Sequence, residues 1–75
     1  MKRCVVNVIW DAEAGVWYTR SDDIPGLVLE SSHFERLLSD YKSEAAYMLE
    51  ANCGYTGAFE LSFETQRVES IEAVV

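Results

Sequence analysis

The sequence predicts an α+β fold of order β-β-β-α-β, in which one long helix packs on one face of a mainly antiparallel sheet. Three patterns carry this expectation: a β-branched, aromatic hairpin at the start, a single capped amphipathic segment in the middle, and a cleanly alternating strand behind it.

Cys4-Val5-Val6-Asn7-Val8-Ile9-Trp10 has the composition of a strand and stops at Asp11-Ala12-Glu13-Ala14-Gly15, a turn with two acids and a glycine. Residues 16–20 read as the return strand. Nearly every position in both strands suits half-burial, so the sheet is expected to need cover on both faces, from the helix on one and from another subunit on the other. Residues 21–26 form a dense turn signal, in which Pro25 fixes φ and Gly26 accepts the positive φ of a type II turn. A third strand is predicted over residues 27–30, with Leu27 and Leu29 on one side and Val28 and Glu30 on the other.

Ser32-His33-Phe34-Glu35 matches the S-x-x-E capping box, which pairs the Ser32 hydroxyl with the Glu35 amide and the Glu35 carboxylate with the Ser32 amide. Phe34, Leu37, Leu38, Tyr41, Ala45, Met48 and Leu49 then recur as one apolar stripe, with Arg36, Asp40, Lys42, Ser43, Tyr47 and Glu50 opposite. Asn52 or Gly54 supplies the left-handed end of a helix of about 19 residues. Behind it Phe59, Leu61 and Phe63 alternate with Glu60, Ser62 and Glu64, a one-sided strand. Val68, Ile71 and Val74 break that parity, so the tail reads as a bulge, a last short strand or an arm onto a neighbour.

Seventy-five residues make one small domain over 1–75. Thirteen acidic residues against six basic give a net charge of −7. Phosphate binding needs clustered Lys and Arg, so this balance argues against nucleic acid and anionic membranes as direct partners and for a basic protein. A chain of this mass buries only about 60% of its unfolded surface, which leaves a single copy marginal and predicts a homo-oligomer, dimer or higher. An apolar content of 49% is too rich for disorder. No apolar run approaches a spanning helix, and Met1-Lys2-Arg3 leads straight into a strand-like run, so a cytoplasmic protein is expected. Cys4 and Cys53, without a CxxC or a companion histidine, read as small apolar fillers.

No phosphate loop, nucleophile elbow or zinc-protease motif occurs, so no catalytic residue, metal ligand or cofactor is assigned and a non-enzymatic role is expected. Asp11 and Glu13 in the first loop and Asp22 and Asp23 in the second read first as turn-forming and surface charges, since Asp before a proline turn commonly bonds its own backbone; if the two loops lie together at one end of the sheet, the four make an acidic patch for a partner, with Trp17 beside it. An alternative uses the same four acids as a small-ligand or metal-binding regulatory site. His33, the one imidazole, reads as a surface or capping residue; catalysis by it would need Glu30 or Glu35 as a partner. Trp10 and Trp17 flank the hairpin as a core pair or an oligomer contact, and Tyr47 and Tyr55 read as interface positions.

Over roughly residues 4–52 the chain resembles the HicB-like antitoxin domain, closest to a small uncharacterised branch of that superfamily. The likeness lies in the acidic turn, the Val16-Trp17-Tyr18 return strand, Ser21-Asp22-Asp23-Ile24-Pro25-Gly26-Leu27-Val28 and the long amphipathic helix. Its most specific piece is Asp23-Ile24-Pro25-Gly26, which resembles the family's D-x-P-G turn; Leu27 stands where many members carry Cys. The resemblance implies a fold similar to a double-stranded-RNA-binding domain, used to neutralise a small basic RNA-cleaving toxin called HicA. Full-length members continue into a C-terminal DNA-binding domain, whereas this chain stops within eleven residues of Glu64, so direct DNA binding is not expected.

Overall fold

A computed structural model of the chain describes residues 1–73. β1 (Lys2–Asp11) and β2 (Val16–Arg20) form an antiparallel hairpin with Trp10 opposite Trp17 and Asn7 opposite Arg20. β3 (Glu30–Ser31) pairs antiparallel with β2, α1 (Phe34–Cys53) crosses one face, and β4 (Phe59–Gln66) returns parallel to β1. The sheet runs β3-β2-β1-β4, so two of its three pairings are antiparallel and the predicted α+β order holds. No helix among the described residues is long and apolar enough to cross a membrane.

The core follows from two periodicities. On the sheet, period two turns Cys4, Val6 and Val8 of β1 toward the helix, where all three are fully buried. The parallel register sets Leu61 opposite Cys4 and Phe63 opposite Val6, extending that face into β4. On the helix, Leu37, Tyr41, Ala45 and Leu49 recur every four residues and are buried, with Phe34, Leu38 and Met48 packed at their flanks. Tyr41 meets Phe63 edge-on at 6.0 Å between ring centroids. Ile24 and Leu27, from the loop rather than from any strand, complete the core.

The third strand differs from expectation. Residues 24–27 turn sharply, with Gly26 at φ 87 and the Leu27 amide donating to the Ile24 carbonyl at 3.4 Å, which is the type II turn predicted around Pro25. That turn drops Ile24 and Leu27 into the core, so extended pairing begins only at Leu29. There the Thr19 amide donates to the Leu29 carbonyl, and the Leu29 amide donates to Thr19 Oγ1 rather than to a main-chain carbonyl. The regular ladder is therefore confined to Glu30–Ser31, instead of residues 27–30.

The capping box is also corrected. The helix N-cap is His33, one residue later than Ser32, and no side chain caps it. His33 keeps an extended backbone, φ −111 and ψ 111, which holds it outside the helix, and Phe34, the first helical residue, meets Trp17 edge-on at 5.0 Å between ring centroids. The shift moves Arg36 into the position that Glu35 would need for a reciprocal box. Ser32 Oγ instead lies 3.0 Å from His33 Nδ1, while Ser31 Oγ accepts the His33 amide. Glu35 remains in the first turn, where a carboxylate suits the helix dipole. At the other end Gly54 takes the left-handed conformation and its amide reaches the Glu50 carbonyl, which decides between Asn52 and Gly54.

Beyond Gln66 the chain has no regular structure through residue 73, with Val68 and Ile71 exposed; Val74 lies outside the described residues. The radius of gyration is 14.7 Å, against about 11 Å for a compact chain of this length.

Candidate functional site

The four acids do not meet. Asp11 and Glu13 sit in the β1–β2 turn, whereas Asp22 and Asp23 follow the far end of β2. Asp23 docks at Val5, six residues from Asp11 along β1 and hence about 20 Å away at strand rise. The hairpin closes the first pair at one end of the sheet and opens the second at the other, so the expected single patch and the cation site built on it lose their geometry. Among the described residues no three His, Cys, Asp or Glu side chains gather as metal ligands.

Each acid has its own local work. Asp11 Oδ1 accepts the Glu13 and Ala14 amides at 3.1 and 3.2 Å, which makes it the residue that forms the hairpin turn; Glu13 is exposed. Asp23 Oδ2 accepts the Val5 amide at 2.7 Å. Asp22 is exposed and borders a shallow groove of ≈ 370 Å³ on the helix-free face of the sheet, with Asn7, Ile9, Arg20 and Gln66. That face carries the half-buried Val5, Ile9, Val16 and Tyr18, and no helix or strand among the described residues covers it.

Asp23-Ile24-Pro25-Gly26 is a three-way clamp. Its carboxylate holds β1, Ile24 fills the core, and the Pro25 carbonyl accepts Asn52 Nδ2 from the last turn of the helix at 2.7 Å. Gly26 passes so close to that amide that a Cβ would stand 2.8 Å from Asn52 Nδ2 and 3.1 Å from Met48 Cε. Ser21 completes it: Oγ donates to the Val5 carbonyl and accepts the Asp23 and Ile24 amides. Among the described residues the buried Tyr41 hydroxyl has no partner at good hydrogen-bond geometry; burial chiefly raises its pKa, and the neighbouring Ser21 hydroxyl works against that rise.

At the opposite end of the sheet stands an aromatic row. Trp10 and Trp17, directly opposed across the hairpin, lie 5.2 Å apart between centroids, and Phe34 meets Trp17 edge-on. Both indoles are half-buried. The guanidinium of Arg67 covers them, 4.4 Å from the Trp10 ring and 5.7 Å from Trp17, and donates from Nε to Glu69 at 2.8 Å. Arg67 is the site residue that sequence reasoning missed. Its signal was the parity of the last strand, which carries position 67 onto the same face as Leu61 and Phe63; the parallel register beside β1 that delivers it to Trp10 has no mark in the sequence.

The remaining candidates separate cleanly. His33 is exposed at the N-cap, with Ser32 as its ring partner. Tyr47 is 70% exposed on the outer side of the helix. Tyr55 is internal to the α1–β4 connection: its hydroxyl donates to the Ala58 carbonyl and Lys2 lies over its ring. Cys4 is a buried filler, its thiol pKa raised chiefly by burial, but Cys53 is exposed at the end of the helix.

Fold and surface together define a small α+β domain with one helix-covered sheet face, one open face and an aromatic cluster at the hairpin end. The chain belongs to the DUF1902 family, a domain of unknown function, which matches residues 3–73. It is similar to a solved structure, the hypothetical protein TTHA1013 from the extremely thermophilic bacterium Thermus thermophilus. The two are 35% identical, with a TM-score of 0.79 over 93% of this chain and 100% of that one. No curated protein matches the sequence.

Proposed function

We propose that the chain is a non-enzymatic interaction domain of the HicB antitoxin type, which binds and neutralises a small basic RNA-cleaving toxin and works as a homo-oligomer. The observation that carries this reading is the disposition of charge. Every acidic residue except the half-buried Asp11 is exposed, while Arg3 and Arg67 are tied to Glu60 and Glu69 at 2.7 and 2.8 Å. A toxin that cleaves RNA needs a basic surface, and an acidic surface of this kind meets it with complementary potential and fast encounter. The resemblance of Asp23-Ile24-Pro25-Gly26 to the D-x-P-G turn of that family points the same way.

Self-association is supported by surface that one copy leaves open. The accessible area of 5433 Å² exceeds the roughly 4,700 Å² of a compact chain of this mass. The excess accompanies an uncovered sheet face, an eight-residue edge strand in β4, and the exposed Val68 and Ile71.

The test is co-purification at low salt with the product of a small basic open reading frame beside this gene, followed by assay of that product's RNA cleavage. A complex that forms at low salt, suppresses cleavage and weakens toward 1 M salt, where the Debye length falls to about 3 Å, is expected. Failure to co-purify at low salt overturns the pairing.

A further inference from the structure

We propose that the Trp10–Trp17 pair is a receptor for a guanidinium side chain of a basic protein partner, and that Arg67 fills it in the free chain as an internal stand-in. The indole pair is already a guanidinium site by geometry: one planar cation lies against two half-buried rings at 4.4 and 5.7 Å. Its framework is rigid, since the rings are directly opposed on the hairpin and Trp17 is braced by Phe34. Its occupant is not part of that framework. Gln66, opposite Ile9, is the last residue of β4, and the segment that carries Arg67 leaves Val68 73% and Ile71 92% exposed.

Two features favour an external cation. The chain carries −7 overall, and Glu13 stands exposed in the β1–β2 turn, three residues after Trp10. The ion pair that accompanies Arg67 in its seat, with Glu69, comes from the same tail, so the two leave together and uncover the rings. An arginine from the partner then replaces like with like: the rings keep a cation over their faces, and the tail is released. Arginine suits the place better than lysine because its planar, weakly hydrated head stacks on an aromatic face.

The choice of a basic protein as the natural source of that arginine rests on the antitoxin-like reading, but the receptor is tested without it. The full chain is titrated at low salt with N-acetyl-tetra-arginine amide and with tetra-lysine, following the indole N–H resonances of Trp10 and Trp17, the chain's two tryptophans. A cation–π contact at this exposure favours the closed form by about two- to fivefold. Arg67→Ala is therefore expected to bind tetra-arginine about three- to sixfold more tightly than Arg36→Ala, a helix-surface variant with the same net charge, with both indole signals shifting. Tetra-lysine is expected to bind more weakly and to separate the two variants less. Equal affinities in Arg67→Ala and Arg36→Ala, or binding that leaves the indole signals in place, overturns the receptor. Tetra-arginine binding at the indoles by a chain that fails to capture the basic toxin supports the receptor and discards only the toxin reading.

Discussion

Asp23 stands in for a missing strand residue beside Val5: its carboxylate accepts the Val5 amide at 2.7 Å while Ser21 Oγ donates to the Val5 carbonyl at 2.6 Å. The antiparallel register that sets Asn7 against Arg20 would bring Asp22 opposite Val5. The chain instead turns toward the core after Arg20, and two side chains complete the ladder that the backbone abandons.

Removing that stand-in leaves the Val5 amide without its charged acceptor. Asp23→Ala is expected to lose about 1–3 kcal/mol of stability, and Asp22→Ala, whose side chain makes no such bond, to stay within about 0.5 kcal/mol of the parent. Urea denaturation of the two variants side by side checks this. Equal losses would show that Asp23 contributes only charge.

Ser31 and Ser32 separate the helix start as found from the capping box that the S-x-x-E pattern predicts. Ser31 Oγ accepts the His33 amide, so Ser31→Ala is expected to cost about 1 kcal/mol in thermal denaturation, near the typical value for a lost helix-end contact. Ser32→Ala removes only an exposed contact with the His33 ring and is expected to shift stability by no more than about 0.5 kcal/mol. The reverse ranking would restore Ser32 as the cap.

The contrast shows what the sequence can and cannot tell. Period-two and period-3.6 patterns located the hairpin, the helix and β4, because apolar spacing along a strand or helix is a local property. The Pro25-Gly26 turn was legible for the same reason, since its φ demands are met within four residues. Positions governed by pairing between distant segments were not legible. The parallel register of β4 with β1 decides where Arg67 lies, and the departure of the chain after Arg20 decides that Asp23 faces Val5. The site suffered most, because charge content says nothing of which end of β2 a loop occupies.

Gly26 and Asn52 test the contact between turn and helix. Gly26→Ala forces a positive φ on a residue with a Cβ and drives that atom to 2.8 Å from Asn52 Nδ2, displacing the donor of the Pro25 carbonyl. Strain and a lost hydrogen bond together predict a loss of about 2–4 kcal/mol. Asn52→Ala alone should cost about 1 kcal/mol. In the double variant the clash is relieved, so the combined loss should fall short of the sum of the single losses, as a chemical-denaturation double-mutant cycle would read. Strict additivity would mean that the two residues do not touch.

Alkaline pH probes the buried pair of Cys4 and Tyr41, both fully buried and both with pKa values raised first of all by that burial. The unfolded chain releases these protons near the ordinary values of 9.0 and 10.0, while the folded chain still holds them. The unfolded state then binds fewer protons, so their contribution to stability is complete below about pH 9 and is lost as pH climbs through the raised values. The melting temperature is expected to fall as pH rises above about 9, less steeply in Tyr41→Phe than in the parent. At neutral pH the same variant removes a buried hydroxyl that has no partner at good hydrogen-bond geometry among the described residues, so it should be at least as stable as the parent, to within about 0.5 kcal/mol. A parallel titration with a thiol reagent should modify Cys53 in the folded chain and Cys4 only on unfolding, since Cys53 is exposed and Cys4 is enclosed. Identical pH slopes in Tyr41→Phe and the parent would remove the phenol from the alkaline response, and fast modification of Cys4 in the folded chain would show that this part of the core opens readily.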